Sequence, residues 1–224
     1  PVIGGLLTGS VGWQGIFMIL LFIGILLGIG CIRFKESLPA EKRSKTGVWA
    51  TFRSFGIIVH NRRYMLYVFQ LAFAQGILFA YIASSPFIIQ QHYGFSPFAF
   101  SICFAVNAVA IGVAAALSVK FRRTENGTLT GCIGMLVFAV LQMAALYSGC
   151  GFWTYELLMF ALLFMMGLTF TSSTTLAMDC ERRYAGAASA LLGALCFASG
   201  GIVSPLVGLG DICLLYTSDA ADDR

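Results

Sequence analysis

The sequence predicts an all-α fold, a polytopic bundle of membrane-crossing helices, and three observations carry that prediction. Of its 224 residues 58% are apolar and 11% are charged, far from the balance of a water-soluble domain. The apolar residues gather in long runs, several of them longer than the roughly 20 residues a helix needs to cross a bilayer at ~1.5 Å per residue. The basic residues fall in alternate connections between those runs.

Taken in order, Pro1 to Leu7 reads as the end of a helix, and Trp13 to Ile32 is a first complete span. Tyr64 to Gln90, Pro97 to Val119, Gly127 to Ser148, Trp153 to Met178 and Ala185 to Leu209 make five more. "SSPFIIQQHYGFSP", Ser84 to Pro97, is the turn between the second and third: Pro86 kinks a helix end, and Gly94, Ser96 and Pro97 stop one helix and start the next. After Leu209 the text turns polar and acidic, with Asp219, Asp222 and Asp223, and residues 210–224 read as a tail foreign to the fold.

The connection 33–63 carries Arg33, Lys35, Lys42, Arg43, Lys45, Arg53, Arg62 and Arg63 against only Glu36 and Glu41. The next connection has no Lys or Arg, the one after has Lys120, Arg122 and Arg123, the one around Cys150 has none, and the last has Arg182 and Arg183. By the positive-inside rule the basic connections are cytoplasmic. The net charge of +4 is then a matter of topology and calls for no nucleic-acid partner. Val48, Phe52, Phe55 and Val59 fall at helical spacing, which suits a short helix lying in the headgroup layer, either coupling two halves of a larger protein or anchoring passively.

Polar residues inside spans are few, and each needs a partner, because an unpaired polar group in hydrocarbon costs several kcal/mol. At ~100° per residue Tyr67, Gln70, Tyr81 and Ser85 share one face of their helix, bound for either a cavity or an interhelical hydrogen bond. Asn107 is the strongly polar side chain of the third span, with the same two destinations. The hydroxyls of "TFTSSTT", Thr169 to Thr175, are expected to bond back to their own helix. Gly186, Ser189 and Gly193 are small residues suited to close helix packing. Glu156, about one turn inside its helix, reads as an interfacial carboxylate, so no acid is expected deep in a span. Asp179 and Glu181 are expected to pair with Arg182 and Arg183. Seven Cys occur without a CxxC, and His60 and His92 lack partners at ligand spacing, so no metal site is predicted. No Walker sequence is present, and nothing indicates an enzyme.

Several motifs in order resemble one family. "PVIGG" at Pro1 to Gly5, with Pro1, Gly4 and Gly5 and then Trp13, looks like the end of the antiporter motif of major facilitator superfamily drug exporters. "RFKESLP" (Arg33 to Pro39) resembles the start of their central loop, and "NRRY" (Asn61 to Tyr64) the entry to helix seven. "SPFIIQQHYGFSP" with Phe104 and Asn107 is similar to the helix seven to eight stretch of the Bcr/CflA branch, the bicyclomycin and chloramphenicol resistance type. "AGAASALLGALCF" (Ala185 to Phe197) and "SPLVGL" (Ser204 to Leu209) resemble its helix eleven.

The resemblance implies the C-terminal six-helix half of a twelve-helix transporter, incomplete at both ends. Residues 1–32 would be the end of helix five and helix six; 33–63 the central cytoplasmic loop with its interfacial helix; 64–209 helices seven to eleven. It implies proton-coupled multidrug efflux across a bacterial inner membrane, a small-molecule drug or metabolite as cargo, no cofactor beyond the proton gradient, and an N-terminal half that supplies the coupling acid. An importer or metabolite exporter of the same superfamily, or a membrane protein that transports nothing, stays open at this point.

Overall fold

A computed structural model describes the backbone of residues 2–34 and 48–222, and the side-chain surroundings of Gly12 and of residues 14–34 and 53–208. Pro1 lies outside the described residues, as do the surroundings of Gly4 and Gly5. The described residues form helices, with no strand among them.

Helix α1 (Val2–Ile32) is two helices joined across Gly12, whose φ of 65° and ψ of −179° no helix contains. The break falls where the sequence places the boundary between a helix end and the first complete span. Helix α2 (Val48–His60) lies in the long basic connection. Its Ile58 is fully buried against Tyr64, Val68, Ala177 and Ala188, while Val59 is exposed. The surroundings of Val48, Trp49 and Phe52 lie outside the described residues.

Helix α3 (Arg62–Phe87) starts on the Asn61 side chain, which accepts from the Tyr64 amide at 3.2 Å. Pro86 sits inside its last turn, and the chain continues as a π-helical turn, Ile88–His92, before Gly94 turns it at φ 70°. Pro86 has no N–H to donate, so the regular i to i−4 ladder cannot run through it. Ser96 then caps helix α4 (Pro97–Ser118) by accepting from the Ala99 amide at 3.2 Å, with Pro97 in the first turn. Helices α5 (Thr124–Tyr147), α6 (Phe152–Cys180) and α7 (Ala185–Asp222) complete the chain, with a 3-10 turn, Arg182–Tyr184, before α7. The backbone of α7 stays helical through Asp222, and residues 211–222 contain neither Pro nor Gly to stop it.

Among the described residues six stretches are long and apolar enough to cross a membrane: Gln14–Ile32, Arg62–His92, Pro97–Ser118, Thr124–Tyr147, Phe152–Cys180 and Arg182–Gly208. Each agrees with a span read from the sequence to within a few residues. Helix α6 is the hub, packing on α3, α4 and α5, while α3 also packs on α7 and α1 leans on α4.

Glycine and hydroxyl residues set these approaches. Along α5, a Cβ added at Gly127 would meet Ser172 Oγ at 2.6 Å, one at Gly131 would overlap Thr169 Oγ1, and one at Gly134 would meet Met165 Cγ at 2.5 Å. On α6, Gly167 sits against the Ile111 carbonyl of α4, 2.5 Å from where its Cβ would lie. The α3/α7 seam is tied by Tyr64 Oη donating to the Ala188 carbonyl (2.6 Å) and Ser199 Oγ to that of Ala72 (2.6 Å).

The small residues singled out on α7 lie open among the described residues. Gly186 and Ser189 are exposed, and a Cβ at Gly186 or Gly193 would meet nothing within 4 Å. Among the described residues nothing lies within 4 Å of a Cβ at either glycine, whereas Gly200, further along the same side of α7, lies beneath the Phe79 ring of α3. The hydroxyl run is divided: Thr174 and Thr175 bond back to the carbonyls of Phe170 (2.7 Å) and Thr171 (3.0 Å). Thr169, Ser172 and Ser173 are buried, and Ser173 donates to Thr128 of α5 at 3.2 Å.

Candidate functional site

The polar face of α3 is split along its axis. At the end near Arg62 and Arg63, Tyr67 is half-buried beside the cluster around Tyr64 and Ile58. Gln70, one turn on, is half-buried, and both polar atoms of its amide are buried without a hydrogen-bond partner. Tyr81 and Ser85, a turn apart and buried, belong to a different cluster at the far end.

There α4 brings Asn107, fully buried, between α3 and α6. Its Nδ2 donates both to Tyr81 Oη at 3.0 Å and to Glu156 Oε1 at 2.9 Å. One amide thus bridges three helices. Asn107 lies ten residues into α4, about 15 Å from its start at ~1.5 Å per residue. The Tyr81 ring stacks on Phe104 with centroids 5.6 Å apart. Beside Glu156, Tyr155 is fully buried and its hydroxyl has no partner.

An aromatic cap covers this cluster toward the connections that lack basic residues. Tyr93 packs on Tyr155 (5.9 Å) and Phe152 (5.6 Å), Phe95 packs on Phe152 (4.3 Å), and Phe152 lies one helical turn from Glu156. Tyr93 Oη donates to the Cys150 carbonyl at 2.9 Å, tying the α3/α4 connection to the α5/α6 connection. Burial first, then its contact with Cys150, pushes the Tyr93 phenol up to about 12.

The position of Glu156 corrects the sequence reading. It was expected at the interface, yet its carboxylate is turned inward and bonded to a residue midway along α4. Of the residues singled out on the sequence, Tyr81, Ser85 and Asn107 come together at this site, and Tyr67 and Gln70 do not. Two apolar grooves among the described residues are lined by none of the five: one of about 480 Å³ between α3 and α7, from Ala72 to Ala80 and from Ser199 to Val203, and another between α4 and Phe160.

The opposite end is polar but open. Arg63 pairs with Glu125 at 3.1 Å, both side chains more than half exposed, and Arg182 pairs with Asp179 at 2.9 Å. Glu181, expected to pair with an arginine, instead accepts from Asn61 Nδ2 at 2.6 Å, joining the start of α3 to the end of α6. Arg183 lies over the Tyr184 ring.

A family profile described as Major Facilitator Superfamily matches residues 1–205, nearly the whole chain. The chain belongs to the major facilitator superfamily. It is 36% identical over 218 residues to the uncharacterized MFS-type transporter YdgK of Bacillus subtilis (strain 168), covering 94% of this chain and 54% of that protein. It is 28% identical over 215 residues to a bicyclomycin resistance protein homolog of Haemophilus influenzae, covering 92% of this chain and 53% of that one. This facilitator chain therefore spans about half the length of the curated relatives it matches. Its all-helical architecture and six apolar spans are those of a multi-pass membrane protein and of half a facilitator fold.

Proposed function

We propose that this chain is the C-terminal half of a proton-coupled multidrug efflux transporter of the Bcr/CflA branch, acting in a bacterial inner membrane. The observation that carries the reading is the match, over 92% of this chain, to a relative whose name is bicyclomycin resistance protein homolog. The motif order read on the sequence supports the same branch. In this reading α1 holds the end of helix five and helix six, residues 33–63 are the central loop, and α3 to α7 are helices seven to eleven, with 210–224 foreign to the fold. The basic connections are cytoplasmic.

Transport would follow from two six-helix bundles rocking about a midplane site. Tyr67, Gln70, Tyr81, Ser85 and Asn107 remain the candidates on this half for contact with a drug or metabolite, reached when the bundles part. The unoccupied face of α7 at Gly186, Ser189 and Gly193 suits close approach by the other bundle.

Cells lacking their own exporters and carrying the intact transporter should accumulate several-fold less radiolabelled bicyclomycin than cells without it. A protonophore should erase the difference. Equal accumulation with and without the transporter, for bicyclomycin and chloramphenicol alike, sinks the exporter reading.

A further inference from the structure

We propose that Glu156 is a proton-binding site carried by this half of the transporter. The antiport reading gives that site its consequence, but the binding itself does not depend on it.

Glu156 belongs to a span, is half-buried, and has one carboxylate oxygen engaged by Asn107 and the other buried with no partner. A carboxylate in such surroundings stays ionised only if a cation offsets the several kcal/mol that desolvation costs. None is at hand. The ion pairs of the described residues, Arg63 with Glu125 and Arg182 with Asp179, are at the other end of the bundle. The titratable neighbours of Glu156 are Tyr81 from α3, Cys103 from α4 and Tyr155 from α6 itself, with Tyr93 stacked on Tyr155, and none is basic. No group of His, Cys, Asp and Glu suited to a metal occurs among the described residues.

A proton meets both needs of the site. Added to Oε2, it converts the carboxylate to the neutral acid, with no other bond made or broken. It also turns an unpartnered acceptor into a donor. The same neighbourhood holds further buried oxygens without partners: Asn107 Oδ1, Ser85 Oγ and Tyr155 Oη. The Asn107 amide, bonded to Glu156 and Tyr81 at once, couples the charge on α6 to the positions of α3 and α4. The aromatic cap of Tyr93, Phe95 and Phe152 closes one approach for water, so loading and release would follow the opening of that cap. Here Glu156 binds the proton and Asn107 is a positioning residue.

Infrared difference spectroscopy on the intact transporter in lipid, taken from alkaline to acid buffer, reads this without any cargo. A carboxyl C=O band present at about pH 7, where a solvated Glu is ionised, is expected in the native protein and absent from Glu156→Gln. Asn107→Leu should keep the band and displace its frequency, because the amide donor is gone. Glu156→Asp should also keep a displaced band, which preserves the test if the Gln variant does not fold. Identical native and Glu156→Gln spectra at that pH overturn the proposal. So does a Glu156 signal that follows sodium rather than pH. Because no drug is involved, failure here is separate from failure of the export assay.

Discussion

Helices α1 and α6 both cross a membrane by length and composition, and they are buried in opposite measure to their hydropathy. The span Gln14–Ile32 is the most apolar of the six, and none of it is buried within the chain. The span Phe152–Cys180 is among the two least apolar, and half of its apolar stretch is buried. In water that order would be reversed, since apolar area is what burial removes from solvent. In a bilayer the tails already solvate Leu and Phe, so association depends on close packing and interhelical hydrogen bonds, to which small and polar side chains contribute. Gly167, Thr169, Ser172 and Ser173 put α6 at the centre, and the Leu, Ile and Phe residues of α1 keep it at the edge.

The sharpest way to break that comparison is to charge the exposed surface of α1. Phe22 is 62% exposed, and Phe22→Asp would improve a helix that faced water. Facing lipid near the middle of its span, the same change should cost about 3 kcal/mol of insertion free energy. A glycosylation-reporter insertion assay should show a large loss of spanning molecules for α1. Unchanged insertion would show that this surface is not a lipid surface.

Next in size is a matched pair of glycine substitutions. Gly131→Leu drives a side chain into Thr169 and the Met165 carbonyl of α6, and overpacking of this kind costs roughly 1–3 kcal/mol. Gly24→Leu on α1 meets nothing within 4 Å and should stay within about 0.5 kcal/mol of the native protein. Thermal melting of the intact transporter in detergent should separate the two. Equal loss in both would mean that small residues do not define the hub.

The same contrast explains what was legible in the sequence. Spans are written residue by residue in hydropathy and in breakers such as Pro86, Gly94 and Pro97, so their limits agree within a few residues. Contacts between spans depend on which helix lies alongside and at what height, and one chain does not state that. The distance of Glu156 from its own helix end points to the interface, whereas its surroundings include Asn107 of the neighbouring α4, which donates to it. A carboxylate one turn above Met159 and Phe160, on a helix with hydroxyls further along, was the available signal. Gly127 and Gly131, a small-xxx-small pair, likewise mark in the sequence the side of α5 that packs on α6.

The smallest effect is expected at the open end of the bundle, where Arg63 and Glu125 pair with side chains 67% and 57% exposed. An exposed pair is worth about 0–1 kcal/mol and is screened by salt, so Arg63→Ala should scarcely move the melting midpoint. Asn61→Ala removes more. It deletes the cap of α3 at the Tyr64 amide and the 2.6 Å bond to Glu181 that joins α3 to α6, and caps alone are worth about 1 kcal/mol. If Arg63→Ala proves the costlier of the two, the ion pair rather than the cap fastens this end, and charges there hold the bundle as firmly as the buried amide bridge does at the other.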